Sequence, residues 1–515
     1  MLEVIKMPYD TEYRFYLKTG QYLTDEDVCK KLDYIFNLKP DEHQKNVIDF
    51  SWDEIGLSRI FADLYKPELR YCIENKCWYV YNGIKWVQDT GALIANEKIK
   101  EFFSLLYIYC SEREIKEFSA AVHKFSSKSY RDKILKDTAS VYPISVNEFD
   151  KDPYLINCKN GVFDLKKGEF RKHKAEDFFA QSTNFCYCSD GDFDPEVITK
   201  DVRCKRFEQF IDEVTEVDKE KAKYLQYALG YSILGKASEE CLFLVYGKTT
   251  RNGKSTLLNA ILHALGDYAT TTTLDLICKS SGVKDLNAAS PMLANLKGKR
   301  LVVMSETEEH GKLDESKVKT LTGGEEISCR KLYGEPFSYL PQFTMWITCN
   351  DLPAAYDNAL FESGRLKVIE FSKHFTEKEQ DKTLKDYFRT QEAMQGIFYW
   401  LMMGCYGYQK FGLHAPEIVE SKIKEYQEDN NLTLQFLNDC CELQPGGYVK
   451  ASELFEVYQT WAKKRGYFSG SIRTFNKALK MTTWKNQRLK FHSGMSRQLL
   501  FDGINIKKDL NLFAL

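Results

Sequence analysis

CLFLVYGKTTRNGKSTLLNAILHALG (241–266) decides how this chain reads. Leu242–Tyr246 is a short apolar run, the pattern of a buried strand. Leu257, Leu258, Ile261, Leu262 and Leu265 recur at helical spacing, and Gly266 supplies a C-cap. A glycine-bearing turn joins the two and ends in Gly253-Lys254-Ser255. Backbone N–H groups of such a turn, with the helix N-terminus, cradle phosphate oxygens. In this reading Gly247, Asn252, Gly253 and Thr256 belong to the cradle. Lys254 reaches the β- and γ-phosphates of ATP, and the Ser255 hydroxyl ligates Mg2+. The earlier Gly247-Lys248-Thr249 abuts the strand with no loop before its lysine and is rejected. One departure stands out: five residues, 248–252, separate Gly247 from Gly253, where four are usual.

A phosphate loop needs an acidic partner at the end of a neighbouring strand. LANLKGKRLVVMSETEE (293–309) supplies an apolar run, Leu301–Met304, then Ser305 and Glu306. An Asp-Glu pair is usual there. With Ser305 in the first place, Glu306 takes both tasks, holding the metal and polarising the attacking water, with Glu308 the weaker candidate. Further on, Ile327–Lys331 and Pro336–Leu340 read as strands around a Tyr333-Gly334 turn. Phe343–Thr348 is a third strand, and it leads to Asn350, a polar group at a strand tip that can orient the lytic water. FESGRLKVIEF (361–371) sets Arg365 just before another apolar strand, where an arginine can insert into a neighbouring subunit's ATP site.

The surroundings fit a multidomain α/β protein. The chain has 515 residues, 72 Lys+Arg against 74 Asp+Glu, and 43% apolar residues. That composition excludes a disordered or fibrous chain and a uniformly basic coat, while permitting local basic patches. Fifteen cysteines without a CxxC, and Cys186 and Cys188 at the wrong spacing, point to reduced thiols and no structural zinc. No signal-peptide pattern and no run of 18 apolar residues is found, so the expectation is a cytoplasmic protein off the membrane. CWYVYNGIKWVQD (77–89) is a hairpin about Asn82-Gly83, and NCKNGVFDLKKGEFRKH (157–173) repeats the pattern near Lys167-Gly168. Residues 92–141 between them are helical. Asp190, Asp192 and Asp194 alternate in a way that can bind Mg2+, but Gly191 and Pro195 break any strand, so a solvated loop is the plainer reading. Residues 203–237 and 376–430 are helical around the α/β stretch. Residues 450–515 carry 13 Lys+Arg against four acidic residues.

The order GKTTRNGKST, LVVMSETEE, TGGEEISCRKLYGEPFSYLP, WITCN, SGRLKVIEF resembles the superfamily-three helicases. More narrowly it resembles the phage and plasmid primase–helicase group related to the poxvirus enzyme, and 77–89 with NGVFDL (160–165) resembles that group's N-terminal domain. The resemblance covers about 56–515. It implies an AAA+-type P-loop core in a homo-oligomeric ring, usually a hexamer, that translocates on single-stranded DNA and unwinds 3′→5′ in phage, plasmid or island replication, in a bacterial host's cytoplasm. Only about 55 residues precede the shared region, so we expect no priming activity and a separate primase or polymerase partner. The expected domains are an unassigned 1–55, an α+β domain 56–200, the ATPase with helical flanks 201–430, and a winged helix 431–515.

In such rings the hairpin before the Asn350 strand faces the pore, where Arg330 or Lys331 meets phosphates and Tyr333 stacks on a base. In the tail, Leu454, Val457, Tyr458 and Trp461 share one helix face. Ser471 caps a second helix with Ile472, Phe475 and Leu479 inward, and with Arg473, Asn476, Lys477 and Lys480 outward as a groove-reading helix presents them. Residues 488–506 form a basic wing about Ser493-Gly494 carrying Arg488 and Lys490, so double-stranded DNA is a second partner. Two other classes compete with the helicase. One is an ATP-gated origin-binding initiator that remodels DNA locally. The other is a signalling P-loop ATPase, against which the basic hairpin and Arg365 argue.

Overall fold

The computed structural model describes residues 29–30, 32–33 and 53–507, apart from 113, 115, 188–201, 280–289, 306–310, 333, 357, 468, 486 and 494–498. The carboxylates at 190–194 therefore lie outside the described residues.

Asp53 starts the first long helix, Glu54–Tyr65, by accepting the Gly56 amide. Four strands follow: β1 (Leu69–Cys72), β2 (Cys77–Tyr81), β3 (Trp86–Asp89) and β4 (Pro143–Ile144), in sheet order β3-β2-β1-β4. The Asn82-Gly83 turn forms as expected, with Asn82 Oδ1 accepting the Ile84 and Lys85 amides and Gly83 at φ 91°. Side chains alternate across this sheet. Leu69 and Trp78 join a helical core with Ile60, Phe61, Phe102 and Leu106, whereas Cys72 and Tyr79 face a second core shared with the next domain. A small antiparallel sheet of β5 (Leu155–Cys158), β6 (Gly161–Asp164) and β7 (Glu169–Arg171) completes the α+β region.

The central sheet is parallel. It contains β8 (Leu242–Tyr246), β9 (Ala269–Thr273) and β10 (Leu301–Ser305). An antiparallel hairpin, β11 (Ile327–Arg330) and β12 (Pro336–Tyr339), then precedes β13 (Thr344–Cys349) and β14 (Leu366–Glu370). The order is β14-β8-β13-β10-β9. β8 is buried along its whole length, which is why it reads as an unbroken apolar run. Phe243 and Val245 meet the helices on one face, and Leu242 and Leu244 belong to the core on the other. On the first face, helices Lys219–Ser232 and Gln391–Phe411 cross at glycines. A Cβ on Gly230 would stand 2.1 Å from the Cys405 nitrogen, and one on Gly404 2.1 Å from the Gln226 oxygen, so only glycine permits this approach.

Arg300, at the foot of β10, ties the α+β region to this sheet. It is 1% exposed. Its guanidinium donates to the carbonyls of Asp152 (3.1 Å), Pro153 (2.7 Å) and Leu155 (3.4 Å). Its own backbone joins Tyr268 and Thr344, the residues at the feet of β9 and β13.

The tail has its own core of Phe436, Leu454, Trp461, Phe475 and Phe501. Helices Leu432–Cys440, Ala451–Lys464 and Ile472–Met481 pack with a sheet of β15 (Cys441–Lys450), β18 (Lys490–Ser493) and β19 (Leu499–Ile506), while β16 (Thr483–Trp484) pairs with β17 (Gln487–Arg488). Ser471 caps the third helix through the Thr474 amide. One expectation is corrected: Ile472 does not point inward but is 40% exposed, because among the described residues of that helix it is Phe475 and Leu479 that reach the core. It stands at the first helical position, beyond the end of the packed face.

Arg300→Met is expected to destabilise by about 1–3 kcal/mol for each main-chain carbonyl left buried without a donor. Chemical denaturation checks this, and a midpoint unchanged from wild type contradicts the clamp.

Candidate nucleotide site

Because β8, β10 and β13 run parallel, their carboxyl ends share one edge. Tyr246 pairs with Cys349, and Thr348 with Ser305. Crevices outside the carboxyl ends of parallel strands are where such sheets bind ligands. Here the edge brings Gly247 beside Asn350, the Gly247 amide donating to the Cys349 carbonyl.

The loop between Gly247 and the Lys254–Leu265 helix is held from several sides. Gly253 sits at φ 86°, and a Cβ there would stand 2.5 Å from Val214 Cγ1, so both its conformation and its surroundings demand glycine. The fifth loop residue is absorbed in a bulge. Arg251 adopts φ 58°, its carbonyl accepts the Phe375 amide at 2.9 Å, and the Thr250 carbonyl accepts His374 Nδ1 at 2.9 Å. Asn252 is buried and its Nδ2 donates to the Thr249 carbonyl at 2.6 Å. These contacts from residues 374–375 are invisible to a local motif, because they reach loop carbonyls more than a hundred residues away.

Lys254 is 6% exposed. Its Nζ donates to the Gly247 carbonyl at 2.9 Å and to Asn350 Oδ1 at 3.0 Å. A buried ammonium at the carboxyl edge of a parallel sheet is a candidate partner for an anionic ligand. Ser255 is exposed and Thr256 half-buried on the first helical turn. The structure thus gathers Gly247, Asn252, Gly253, Lys254, Ser255, Thr256 and Asn350 at one edge. Glu306 and Glu308 lie outside the described residues; Ser305 is the exposed tip of β10.

Arg365 does not join this group. It precedes β14, and its carbonyl accepts the Leu242 amide at the opposite edge of the sheet. A five-residue strand separates the two edges, roughly 16 Å at ~3.3 Å per residue. The guanidinium pairs with Glu240 at 2.6 Å and donates to Thr322 Oγ1 at 2.6 Å.

The β11–β12 hairpin leans on the α+β region. Lys76 pairs with Glu335 at 2.6 Å, and Asn147 Nδ2 donates to the Ser338 carbonyl at 2.9 Å. Arg330 and Lys331 are half-buried, and Tyr333 lies outside the described residues. Lys331 is near enough to Cys77 of β2 for its charge to draw that thiol down, against the burial that pushes it up to about 11. In the tail, Arg473, Lys477 and Lys490 are exposed. Lys480 covers the Phe491 ring at 4.2 Å, joining the third helix to β18, and Arg488 lies on β17.

Fold and site together define a multidomain α/β protein whose parallel sheet carries a glycine–lysine loop at its carboxyl edge. Residues 58–216 match the D5 N-terminal-like family model, 428–511 the poxvirus D5 protein-like model, and 245–363 a family of unknown function. A protein of Acanthamoeba polyphaga mimivirus named as a helicase is 25% identical over 91% of this chain and 52% of its own length. A helicase-named protein of Sputnik virophage is 24% identical over 54% of this chain and 38% of its own. The apo NrS-1 C-terminal region superposes with a TM-score of 0.47 at 11% identity, over 88% of this chain and 99% of that one. The chain is thus similar, over separate segments, to D5 N-terminal-like and poxvirus D5 protein-like proteins, and to viral proteins named as helicases. The chain spans about half the length of the mimivirus relative. The expectation that priming is absent finds no support in these matches. Among the described residues no helix is long and apolar enough to cross a membrane.

Lys254→Ala should weaken ATP binding by at least tenfold, since a charge-assisted hydrogen bond contributes about 1.5–3 kcal/mol. Calorimetric titration checks this, with circular dichroism confirming the fold. Wild-type affinity in the variant contradicts the phosphate site.

Proposed function

We propose that the chain is the motor of an ATP- and Mg2+-dependent replicative DNA helicase of the superfamily-three, AAA+ type, working as a homo-oligomeric ring, a hexamer by resemblance, with 3′→5′ polarity. The observation that carries this is the buried Lys254 held between Gly247 and Asn350 at the carboxyl edge of a parallel sheet. The helicase names of relatives from large DNA viruses and a virophage agree with it.

In this proposal Ser255 and Glu306 hold Mg2+, Glu306 polarises water, and Asn350 orients it. Arg365 completes the neighbouring subunit's site. β12 leads through four residues into β13, whose end precedes Asn350, so a shift at the γ-phosphate has a short covalent route to the hairpin. Arg330, Lys331 and Tyr333 grip single-stranded DNA there, weakly and without sequence preference, as suits a translocase that must release at each step. Residues 431–515 act as a winged helix on duplex DNA through Arg473, Lys477, Lys480, Arg488 and Lys490. Their separate core favours that division.

The deciding experiment is strand displacement on a long duplex. Wild type should unwind with ATP, and Lys254→Ala should not. ATP hydrolysis without displacement would overturn the helicase reading in favour of a local initiator. Arg365→Ala should lower turnover about 10³-fold or more while ATP still binds, and mixing it with Lys254→Ala subunits should restore part of the activity. Absence of rescue in rings shown to be mixed contradicts the trans role. Deleting 431–515 should leave ATPase activity intact, weaken duplex binding and flatten its salt dependence, because fewer counterions are released.

A further inference from the structure

The helices Lys219–Ser232 and Gln391–Phe411 present rings and lysines that belong to neither the loop, the hairpin nor the tail. Tyr227 of the first lies against Gly407 of the second, where a Cβ would stand 2.2 Å from its ring. That seat sets Tyr227 beside Phe411, with ring centroids 6.5 Å apart and planes within 5° of parallel. One turn earlier on the second helix, Tyr408 donates to Glu239, the neighbour of the Glu240 that holds Arg365. This end of the helix therefore lies at the foot of the sheet, the edge opposite Lys254.

Phe411 is 53% exposed and Tyr406 45%. Exposed rings taken singly need no explanation, but these gather with cations. Lys223 Nζ stands 5.5 Å from the Tyr227 centroid and 5.8 Å from that of Phe411. Lys410 Nζ stands 5.2 Å from Phe411 and 6.0 Å from Tyr406. Each ammonium thus serves two rings within cation–π range, and both lysines are exposed. Gln409 continues the strip by donating to the Leu165 carbonyl at 3.1 Å, and the Leu165 amide donates to the Tyr154 carbonyl at 2.9 Å. The exposed Lys236 and Lys166 stand 4.4 and 5.6 Å from the Tyr154 ring. Against these cations stands Glu220, exposed and three residues before Lys223.

We propose that this strip is a binding site for single-stranded nucleic acid, separate from the hairpin. Every base offers a π-face that stacks on a ring whatever the sequence, and lysines beside the rings meet the phosphates. Exposed lysine–ring contacts are weak enough to be exchanged for phosphate contacts. A duplex keeps its base faces stacked inside, so the rings favour a single strand. The proposal goes beyond the motor reading and does not need nucleotide at Lys254.

The test is fluorescence anisotropy of labelled oligothymidylate with the full chain, without nucleotide, over a range of salt, beside heparin as a polyanion without bases. Phe411→Ala should weaken oligothymidylate binding about fivefold or more, the low end for one stacked base, and leave its salt slope and heparin affinity unchanged. Lys223→Gln and Lys410→Gln should each lower the salt slope by about 0.7, one phosphate contact apiece. An oligonucleotide carrying iodouracil should crosslink on irradiation to Tyr227, Tyr406 or Phe411, which separates this strip from the hairpin. Wild-type affinity in Phe411→Ala, or crosslinks confined to other residues, overturns the site. A change of oligomeric state in Phe411→Ala, read by sedimentation, makes this face a contact between copies and also overturns it. Should Phe411→Ala lose its cooperative melting, Tyr406→Ala carries the same test. Failure of the phosphate-site reading leaves these results untouched, since no nucleotide is present.

Discussion

Arg300 is the constraint on which the assembly of this chain depends. Burying a guanidinium removes its hydration, and burial pulls its proton affinity below the ordinary arginine range. Three main-chain carbonyls face it and the nearby carboxylates of Asp150 and Asp152 offset part of the cost. Those carbonyls belong to 152–155, at the entry to β5, while the arginine itself immediately precedes β10. Gly235 stands so close that any side chain there would occupy the guanidinium's place. The α+β region is thus fastened to the foot of the strand whose tip carries Ser305. The sheet β3-β2-β1-β4 reinforces this by contributing to a helical core on one face and to the central core on the other.

At the other edge of the sheet a second buried cation stands: Lys254, whose partners include the Gly247 carbonyl and Asn350 Oδ1. An anion that replaced them would release the Asn350 carboxamide, two residues beyond Thr348 on the strand that follows the hairpin. The hairpin's tether to the α+β region includes an ion pair exposed by more than half on both sides, Lys76–Glu335, and such a pair contributes only about 0–1 kcal/mol. A rigid foot and a weakly tethered hairpin are the two properties that transmission from the loop to the hairpin calls for.

Much of this was legible because the governing signals are local. The apolar run of β8, the helical spacing from Leu257 to Leu265, and Asn82-Gly83 each state their own geometry. The strands about the 333–334 turn and the Ser471 cap were readable for the same reason. What escaped the sequence is what long-range packing decides. Arg300 looks like any basic residue before a strand. His374, through its imidazole, and Phe375, through its backbone amide, hold loop carbonyls more than a hundred residues away, which no local pattern advertises. Ile472 erred the other way: spacing placed it on the inward face, but that face leaves the core before the helix begins.

The position of Arg365 bears on why a ring belongs in the proposal. Roughly 16 Å of strand, at ~3.3 Å per residue, separates it from the edge where Lys254 lies, beyond the reach of any side chain. A direct role in hydrolysis therefore requires a second copy whose loop edge faces this one's opposite edge. Such head-to-tail contact is heterologous, and when its rotation closes it generates a ring. In the single chain the guanidinium is held by Glu240 and Thr322, so reaching a neighbour means giving up those partners. A γ-phosphate offers more charge than one half-exposed carboxylate. In the ring we propose, the arginine would leave Glu240 only where an adjacent site is loaded, and the exchange would itself report the neighbour's nucleotide state.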